Sequence, residues 1–556
     1  MIGLAKPYTR QYFERRLKTL ENERNKYLPL WRDCRDMFLP VAGSFDECNN
    51  KNEAENKLKN YRNLMNSIGI FAVERLSAGM MSGLTSPVRS WFRLTTDNSD
   101  LKDVKVVQNW FYNVENVIRS IFLKSNVDRT LSQVYSESSV FGQAVFAVVE
   151  DNESVIRCIP FTCGEYCLSS TKGEQIDTIY RQLHLTVAEV ISNFGLDNVS
   201  RPIALKYKEG RLSDDVVIIH AVEPNRLYTK TRITDKPFIS VYFEKNNKEK
   251  PFLSISGFNH LPVIAPRWDI IANSWYGNAP ANRCLSDALM LQKMQTDKIK
   301  MVELAADPPK IAPTSMQDLE VAYIPGATYY SDSPTNVIRP LSEAKANINE
   351  LENLILQCEQ RIEKGFYNDL FLMIVQITKN MTATEVDERK EEKFLMLGSV
   401  VDRLQNELLK PLIDITFEIA YSKGLIPEPP DILQGTDLKI EYISLLAQAQ
   451  KITQTGSITS FLQFVASLSQ LAPEAVDKID IDQSIDDYAD FIGTPPSLVR
   501  SDEDVAEIRQ ARQLAQEEQA NQLKQQQTID QAEQLSKIEM QKETGLTKLM
   551  DNLGIL

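Results

Sequence analysis

The residue types that most often carry out catalysis are scarce in this chain. Three histidines, His184, His220 and His260, occur in its 556 residues, which leaves few places for a general base or an imidazole metal ligand. The sequence has no Gly-Lys pair, and so no Walker-type phosphate loop, and it has neither an HExxH nor a GxSxG pattern. These absences argue against a nucleotide hydrolase, a zinc protease and a serine hydrolase.

The cysteines indicate reduced thiols. Seven of them, an odd number, are spread along a long chain, whereas disulfide frameworks are typical of short secreted chains. Cys158, Cys163 and Cys167 form the one close group, and zinc would need a fourth ligand that His184 could supply only by folding back. We therefore expect no bound metal and no other cofactor.

Residues 430–439 contain side chains of the types found in metal-dependent nuclease sites. Asp431 and Asp437, with Lys439, are the residue types that could hold a divalent metal and activate water. The spacing is short, the preceding PEPPD is a loop, and Asp437-Leu438-Lys439 alternates as an edge strand does. We predict a strand here, no catalytic residues, and a protein that is not an enzyme.

The charge distribution disfavours tight binding to DNA. The chain has 62 Lys+Arg and 76 Asp+Glu, a net charge of 62 − 76 = −14. Residues 1–40 carry nine basic and five acidic side chains, whereas residues 471–505 carry ten acids against Lys478 and Arg500. Because a tight grip on phosphates needs a basic surface, static binding of duplex DNA is disfavoured.

Helical and strand-rich segments alternate along the first half of the chain. Helical periodicity covers the first segment to near Pro40, then residues 62–82 and 101–138. Residues 139–260 change to β-branched and aromatic alternation, with one short helix at 186–194. No run of about 18 uncharged apolar residues and no signal-peptide core occur, so we expect folding in a cytoplasm and no membrane partner.

Two long helices flank a proline-rich module in the middle third. Residues 280–306 run without glycine or internal proline and stop at Asp307-Pro308-Pro309. Their apolar residues form two partial stripes, which predicts neighbours on two sides: Leu285, Ala288 and Leu289, then Leu291, Met294 and Met301. A second helix is predicted at about 343–367, with one apolar face. This face is made of Ile348, Leu351, Leu354, Ile355, Cys358 and Ile362. The two helices are predicted to form a stalk, and the module at 308–340 between them is predicted to project from it.

The last third is predicted to be mainly helical. Thr382 and Glu385 fit a capping box, opening a helix over 384–423 that kinks at Gly398 or at Pro411. Helices are also expected at 442–470 and 474–491. Residues 501–545 are Gln-rich and polar all round, so this helix either bundles with copies of itself or is partly disordered.

Several motifs, in order, resemble one family of proteins. They are Glu23-Arg24 with Tyr27, Trp31 and Phe38-Leu39-Pro40; LSAGMMSGLTSPVRSWFRL at 76–94; Arg267-Trp268 with Tyr276-Gly277; Leu291-Gln292-Lys293-Met294; Pro308-Pro309; MTATEV at 381–386 with Arg389; Met396-Leu397-Gly398; and YISLLAQAQ at 442–450. Over about residues 15–450 the chain resembles the head-to-tail connector, or portal, proteins of short-tailed double-stranded-DNA phages. The last hundred residues carry no motif that we can match.

The resemblance implies an α+β, mainly α, elongated subunit that assembles into a ring, usually a dodecamer, at one vertex of the capsid in the virion. The implied parts are a wing at 1–278, a stem helix at 279–307, a clip at 308–342, a returning stem helix at 343–368, a channel loop at 369–382, a long kinked wing helix at 383–424, a crown at 425–498, and a C-terminal barrel helix or partly disordered tail at 499–556.

It also implies partners and contact residues. The channel would conduct double-stranded DNA during packaging and ejection, with candidate contacts at Lys293, Lys298, Lys300, Lys379 and Asn380. The clip would dock the large subunit of the terminase motor and later the tail adaptor or nozzle proteins, with candidate contacts at Lys310, Tyr323, Tyr329 and Tyr330. Major capsid and scaffolding proteins would surround the ring.

Each of these candidate residues and segments also has a simpler structural interpretation. Each lysine is otherwise a solvated or ion-paired side chain, each clip tyrosine an ordinary subunit contact, and residues 370–382 a buried strand. An acidic ring, in turn, suits a channel through which DNA must slide. The alternative function is a ring-forming adaptor that never conducts DNA.

Overall fold

The computed structural model describes residues 8–45, 61–98, 101, 104–171, 175–228, 236–247, 249–270, 274–306, 310–311, 339–340, 348–371, 397–433, 438–443, 465, 483–484, 505–519 and 521. The chain divides into two compact units, residues 1–98 with 109–457 and residues 99–108 with 458–556. None of the helices in the described ranges is long and apolar enough to cross a membrane.

The described part is mainly helical, with antiparallel sheets. The helices are α1 Arg10–Asn25, α2 Leu28–Phe38, α3 Ile68–Leu84, α4 Lys105–Lys124, α5 Val127–Phe141, α6 Val187–Phe194, α7 Arg201–Lys208, α8 Pro280–Ala306, α9 Ile348–Gly365 and α10 Lys410–Ser422. The strands are β1 Phe92–Thr96, β2 Val145–Asp151, β3 Val155–Phe161, β4 Tyr166–Ser169, β5 Thr178–Thr186, β6 Asp215–Pro224, β7 Phe238–Glu244, β8 Ser254–Phe258, β9 Val263–Ile264, β10 Lys310–Ile311, β11 Arg339–Pro340 and β12 Leu438–Tyr442.

The predicted first helix is two helices. Pro29 lies in the first turn of α2, and because proline has no backbone N–H it cannot continue the hydrogen-bond ladder of α1. The chain therefore breaks at Lys26 and Tyr27 and restarts, a position where proline is tolerated.

The predicted helix at 62–82 is interrupted: residues 61–63 are helical, residues 64–67 are not, and α3 begins at Ile68. The backbone N–H groups of Met65 and Asn66 donate to Oε1 of Gln292 on α8, at 2.8 and 3.0 Å. The Asn66 side chain then accepts from the N–H of Ile68 at 2.8 Å. A tertiary contact therefore accompanies the break in the helix that the periodicity predicted as continuous.

The strand-rich prediction for 139–260 is confirmed, with one addition. The short helix predicted at 186–194 is α6, which Thr186 and Glu189 open with a capping box. A second helix, α7, was missed because Pro202 makes its sequence resemble a loop. Pro202 lies in the first turn of α7, where the missing N–H costs nothing.

A five-stranded antiparallel sheet in the order β4-β5-β6-β7-β8 forms the largest β element. Apolar residues from α1 cover one face, in a cluster made of Phe13, Leu17, Leu20, Cys167, Tyr180, Ile219, Ala221, Val241 and Phe243. α6 and α7 supply a second cluster, made of Val187, Val190, Val199, Ile203, Ile218 and Leu253. Smaller sheets pair β3-β2-β9, β1-β12 and β10-β11.

A π-helical turn precedes Pro411, one of the two positions at which a kink is predicted. The helix is regular through Gly398, and residues Gln405–Leu409 then form a π-turn in which the N–H of Lys410 donates to the carbonyl of Gln405. In a regular α-helix the N–H of residue 411 would donate to the carbonyl of Glu407, but proline has no N–H. The hydrogen bonds before Pro411 therefore span five residues instead of four. Residues 384–396 of the predicted helix lie outside the described residues.

Residues 505–519 of the last predicted helix are helical, and their side chains are almost all exposed. The helices predicted at 442–470 and 474–491 lie almost wholly outside the described residues, as does the predicted capping box at Thr382 and Glu385.

Candidate functional site

The two predicted stalk helices form an antiparallel hairpin. α8 matches the predicted 280–306, while α9 is described from Ile348, later than the predicted start at 343. Lys298 Nζ lies 3.0 Å from Glu352 Oε1, and Arg361 Nη2 lies 2.8 Å from Asp287 Oδ1. From Asp287 to Lys298 the residue number rises along α8, while the number of the partner on α9 falls from Arg361 to Glu352. The two helices therefore run in opposite directions.

One narrow apolar seam closes this hairpin. Its buried members are Cys284, Ala288 and Leu291 on α8 and Ile355, Cys358 and Ile362 on α9. At the end of α9, a Cβ on Gly365 would lie 2.2 Å from Cys284 Sγ, so no side chain fits there.

The predicted stripes on α8 were grouped wrongly. Ala288 and Leu291, placed on different stripes, share the buried seam, whereas Leu289 is 47% exposed. Leu354, predicted on the buried face of α9, is 51% exposed. α8 packs not only against α9 but also against α2 and α5, in line with the neighbours on two sides that its stripes predict, and the apolar residues that point away from these helices stay on the surface of this chain.

Polar side chains fix the base of the hairpin to α3. Gln292 bridges to the backbone of Met65 and Asn66, and Asn66 Nδ2 donates to Glu359 Oε1 at 2.7 Å. Arg75 Nη1 pairs with Glu363 Oε1 at 2.6 Å. These contacts attach both helices of the hairpin to α3 and to the residues just before it.

The turn after α9 packs against α2 and α3. The ring of Phe366 lies 5.2 Å from that of Phe38, centroid to centroid. A Cβ on Gly79 would lie 2.2 Å from the ring of Phe371, so the glycine provides the space that the ring fills. Leu370 and Phe371 are buried, and the rest of the predicted channel loop, 372–382, lies outside the described residues.

A buried ion pair joins the π-turn to the segment that follows β9. Arg267 Nη2 lies 2.6 Å from Glu407 Oε1, with side chains 2% and 16% exposed. Arg267 Nε and its backbone N–H both donate to Glu407 Oε2, at 3.2 and 3.0 Å. Nothing in the local sequence pointed to this pair, because its members are 140 residues apart.

Next to that pair, two glycine backbones touch. Gly142 has φ +82°, and a Cβ there would lie 2.2 Å from the carbonyl oxygen of Gly277. The N–H of Trp268 donates to the Gly142 carbonyl at 2.8 Å. The Arg267-Trp268 and Tyr276-Gly277 motifs thus hold the end of α5 against the segment that leads into α8.

The three lysines proposed on the stem lie on α8. Lys293 Nζ is 3.2 Å from Asp297 Oδ1, Lys298 pairs with Glu352 across the hairpin, and Lys300 is exposed. The structure thus supplies acidic partners from the same chain for two of them. Lys379 and Asn380 lie outside the described residues.

The clip candidates are mostly outside the described residues as well. Lys310 belongs to β10, which pairs with β11 at the base of the segment 312–338. Tyr323, Tyr329 and Tyr330 fall within that segment. Their contact roles stay predictions.

Lys439, one of the three residues considered for nuclease chemistry, lies in a β-sheet. Lys439 Nζ lies 2.7 Å from Asp97 Oδ1, and its strand pairs antiparallel with β1, which confirms the predicted strand. Asp431 begins a short 3₁₀ helix, Asp431–Leu433, and Asp437 lies outside the described residues. Within the described ranges no three His, Cys, Asp or Glu side chains are grouped as metal ligands.

The cysteines are buried thiols. Six of the seven are free and buried, Cys48 being outside the described residues: Cys34, Cys158, Cys163, Cys167, Cys284 and Cys358. Burial raises the pKa of Cys158 and of Cys167 to about 12, so both stay protonated at neutral pH. His184, considered as a zinc ligand, is instead hydrogen-bonded to Gln182 through Nε2 at 2.9 Å.

One buried carboxyl group escaped the sequence-based predictions. Glu137 on α5 is 2% exposed, and burial raises its pKa to about 7. Gln133 and the backbone N–H of Cys163 donate to it, at 3.1 and 3.3 Å. Its position on the apolar face of an amphipathic helix was the available signal.

Comparisons with known proteins agree on one family. The model for "Bacteriophage head to tail connecting protein" matches residues 10–499. The "Probable portal protein" of Bordetella phage BPP-1 is 36% identical over 514 residues, covering 92% of each chain. The "Portal protein" of Salmonella phage epsilon15 is 37% identical over 506 residues, covering 90% of each chain.

Among solved structures, the neck of an empty gene transfer agent particle, computed with C6 symmetry, is 9% identical with a TM-score of 0.33, covering 78% of this chain and 91% of that one. The virion of a native gene transfer agent particle is 8% identical with a TM-score of 0.34, covering 77% and 90%. Scores this low do not establish a common fold. The family match and the two phage relatives each span most of the sequence, and the chain therefore belongs to the bacteriophage head-to-tail connecting, or portal, protein family.

Proposed function

We propose that this chain forms the portal ring at one vertex of a phage capsid, in the virion, and that double-stranded DNA enters and leaves the head through its channel. The observation that carries the proposal is the match to two phage portal proteins over 90% or more of both chains. A ring of about twelve copies is the expected assembly.

The antiparallel hairpin of α8 and α9 is assigned to the stem of this ring. The hairpin leaves large apolar side chains on its surface, among them Leu289 and Met290 on α8 and Leu354 and Leu356 on α9, each between 43% and 51% exposed. Burying such residues against adjacent stems would stabilise a ring. Neighbours on both flanks of each stem account for apolar residues that the seam does not cover.

The remaining parts follow the order of the chain. The segment between β10 and β11 is assigned to the clip, residues 369–382 to the channel loop, the helix with the π-turn to the wing helix, and residues 425–498 and 499–556 to the crown and the C-terminal barrel. The clip would dock the large subunit of the terminase motor during packaging and the tail adaptor or nozzle proteins afterwards. Capsid and scaffolding proteins would contact the wing, and ATP hydrolysis is assigned to the motor.

Negative-stain electron microscopy of the purified full-length chain tests the proposal. We expect rings of about twelve-fold symmetry with a central hole wide enough for duplex DNA. Monomers would contradict a portal, and rings with a closed centre would support the adaptor that never conducts DNA. Deleting residues 372–382 should leave rings intact but impair packaging or retention of DNA, and normal packaging would refute the channel-loop assignment.

A further inference from the structure

The turn between β3 and β4 is held by separate parts of the chain. The N–H of Ser44, in the segment after α2, donates to the carbonyl of Cys163 at 2.7 Å. From the end of α1, Arg24 Nη1 donates to the carbonyl of Gly164 at 2.7 Å. Residues 162–166, here named the hub turn, therefore fix α1 and the segment after α2 at one place.

The hub turn is also linked to the segment that leads into α8. Gln143 has no exposed surface, and its Nε2 donates to Cys163 Sγ at 3.6 Å. Its Oε1 accepts from the N–H of Gly277 at 3.1 Å, three residues before α8 begins. A movement of the hub turn would thus reach the start of α8 through one buried side chain.

A buried carboxyl group holds the hub turn against α5. Glu137 is 2% exposed, and it accepts from the N–H of Cys163 at 3.3 Å and from Gln133 Nε2 at 3.1 Å. The other groups that act on it are the hydroxyl of Thr162 and the carboxyl of Glu165, which are neutral and negative. A carboxylate at this position would have no counter-charge, so the closed turn favours the neutral form.

The elements around α5 direct their charged groups elsewhere. Their arginines are engaged by other partners: Arg24 by the Gly164 carbonyl, Arg32 by the Phe45 carbonyl, Arg35 by Asp36, Arg75 by Glu363 and Arg283 by Asp269. α3 faces α5 with Ser77, whose hydroxyl donates to the carbonyl of Ser132 at 2.9 Å. Burial raises the pKa of Cys34 on α2 and of Cys284 on α8 to about 12, so both thiols are neutral.

A second polar group of the hub turn is buried without a hydrogen bond. Tyr166 is 1% exposed, and its hydroxyl meets no partner among the described residues. Burial, followed by the charges of Cys163 and Glu137, raises the pKa of this hydroxyl well above its usual value, so it stays a neutral donor. A buried hydroxyl without a partner lacks the hydrogen bonds that water would supply. Opening the turn to water would satisfy this hydroxyl and hydrate Glu137 at the same time.

We propose that the hub turn is a proton-linked latch, which neutral Glu137 holds closed against α5 and which opens to water when Glu137 gives up its proton to solvent. Burial raises the pKa of Glu137 from 4.5 to about 7 in the closed turn. Because the closed turn holds the proton more tightly, closure is fully favoured below pH 4.5, and the advantage is lost as the pH rises to about 7. The latch lies within one chain and does not depend on the proposed ring.

Hydrogen exchange of the purified full-length chain tests the latch at pH 5 and at pH 8, with each rate divided by the intrinsic rate at that pH. Protection of residues 43–45 and 162–166 should fall at least about tenfold from pH 5 to pH 8. Constant protection would overturn the latch.

Urea separates opening of the turn from unfolding of the whole chain. A local opening exposes little surface, so low urea concentrations should leave exchange in 162–166 unchanged and accelerate it in 216–222, on the central strand β6. An equal response to urea in both segments would mean that the turn exchanges only through global unfolding, and would contradict the latch.

Three variants provide the second readout. Glu137→Gln keeps the shape but cannot titrate, so protection of the hub turn should be the same at pH 5 and pH 8. Glu74→Gln, the same change at an exposed position of α3, is the matched control and should keep the wild-type fall. Tyr166→Phe removes the unpartnered hydroxyl, so protection should rise several-fold at both pH values while its pH dependence stays. A wild-type fall in Glu137→Gln, or lower protection in Tyr166→Phe, would refute the inference.

Discussion

Replacing Glu407 with glutamine should destabilise the fold around the π-turn unusually strongly for a one-atom change. Arg267 is 2% exposed, and Glu407 accepts from its Nη2, its Nε and its backbone N–H. Glutamine keeps the shape but removes the negative charge, so a buried guanidinium loses its counter-charge. The π-turn, which holds Glu407 in place, should loosen with it.

The expected size follows from the burial of the pair. Removing one partner of a buried ion pair costs about 3–5 kcal/mol, since an uncompensated charge stays buried. An exposed pair gives the control: Lys293 and Asp297 are 70% and 42% exposed, and such pairs contribute less than about 1 kcal/mol. Glu407→Gln should therefore lower the free energy of unfolding several times more than Asp297→Asn.

Urea unfolding followed by tryptophan fluorescence measures the difference, because Trp268 is buried next to Arg267. Hydrogen exchange in residues 397–422 should accelerate in Glu407→Gln and stay unchanged in Asp297→Asn. A double variant, Arg267→Met with Glu407→Leu, should recover much of the lost stability, since apolar replacements of a buried pair are often neutral. Equal effects of Glu407→Gln and Asp297→Asn would refute the reasoning.

Three further changes test other contacts. Gly142→Ala should cost about 2 kcal/mol or more, seen as a lower melting temperature, because its φ is +82° and its Cβ would lie 2.2 Å from the Gly277 oxygen. Gly79→Ala should displace Phe371, whose ring would lie 2.2 Å from the new Cβ, and so speed hydrogen exchange in 366–371. Burial raises the pKa of Glu137 from 4.5 to about 7, so the folded state holds the proton more tightly. Its contribution to stability is then complete below pH 4.5 and is lost as pH rises to about 7, by about 3 kcal/mol for a shift of this size. Urea midpoints of Glu137→Gln between pH 5 and 8 should vary less than those of the wild type, and equal slopes would exclude this group as a cause.

The stem shows how far a sequence predicts structure. α8 spans the predicted 280–306 because no glycine or internal proline interrupts it and Pro308 and Pro309 stop it. Which of its apolar residues are buried was not predictable from periodicity alone. The answer depends on α9, and Leu289 and Leu354 stay exposed because the seam of one hairpin is narrow.

Long-range contacts account for the features that were missed. The late start of α3 reflects hydrogen bonds to Gln292, 226 or more residues away. The irregular turn before Pro411 was predictable from the proline. The pairing of Glu407 with Arg267 was not, since neither residue lies in a local sequence pattern that identifies the other as its partner. In the same way, Glu115 on α4 accepts from the N–H of Leu94 on β1 at 2.7 Å, and nothing in the local sequence places that helix beside that strand.

The ion pairs made by the lysines on α8 are further evidence that the charge distribution disfavours tight binding to DNA. A lysine that meets DNA must leave its acidic partner, and Lys298 is held by Glu352 at 3.0 Å while Lys293 lies 3.2 Å from Asp297. Each pair offsets its own positive charge, so the net attraction to a passing phosphate is weaker than a count of lysines suggests. Weak, screened contacts let a duplex slide, whereas unpaired lysines in every copy of a ring would hold it. If α8 lines the channel as proposed, the acidic balance of −14 and the ion pairs of Lys293 and Lys298 favour the same behaviour, a wall that guides DNA without gripping it.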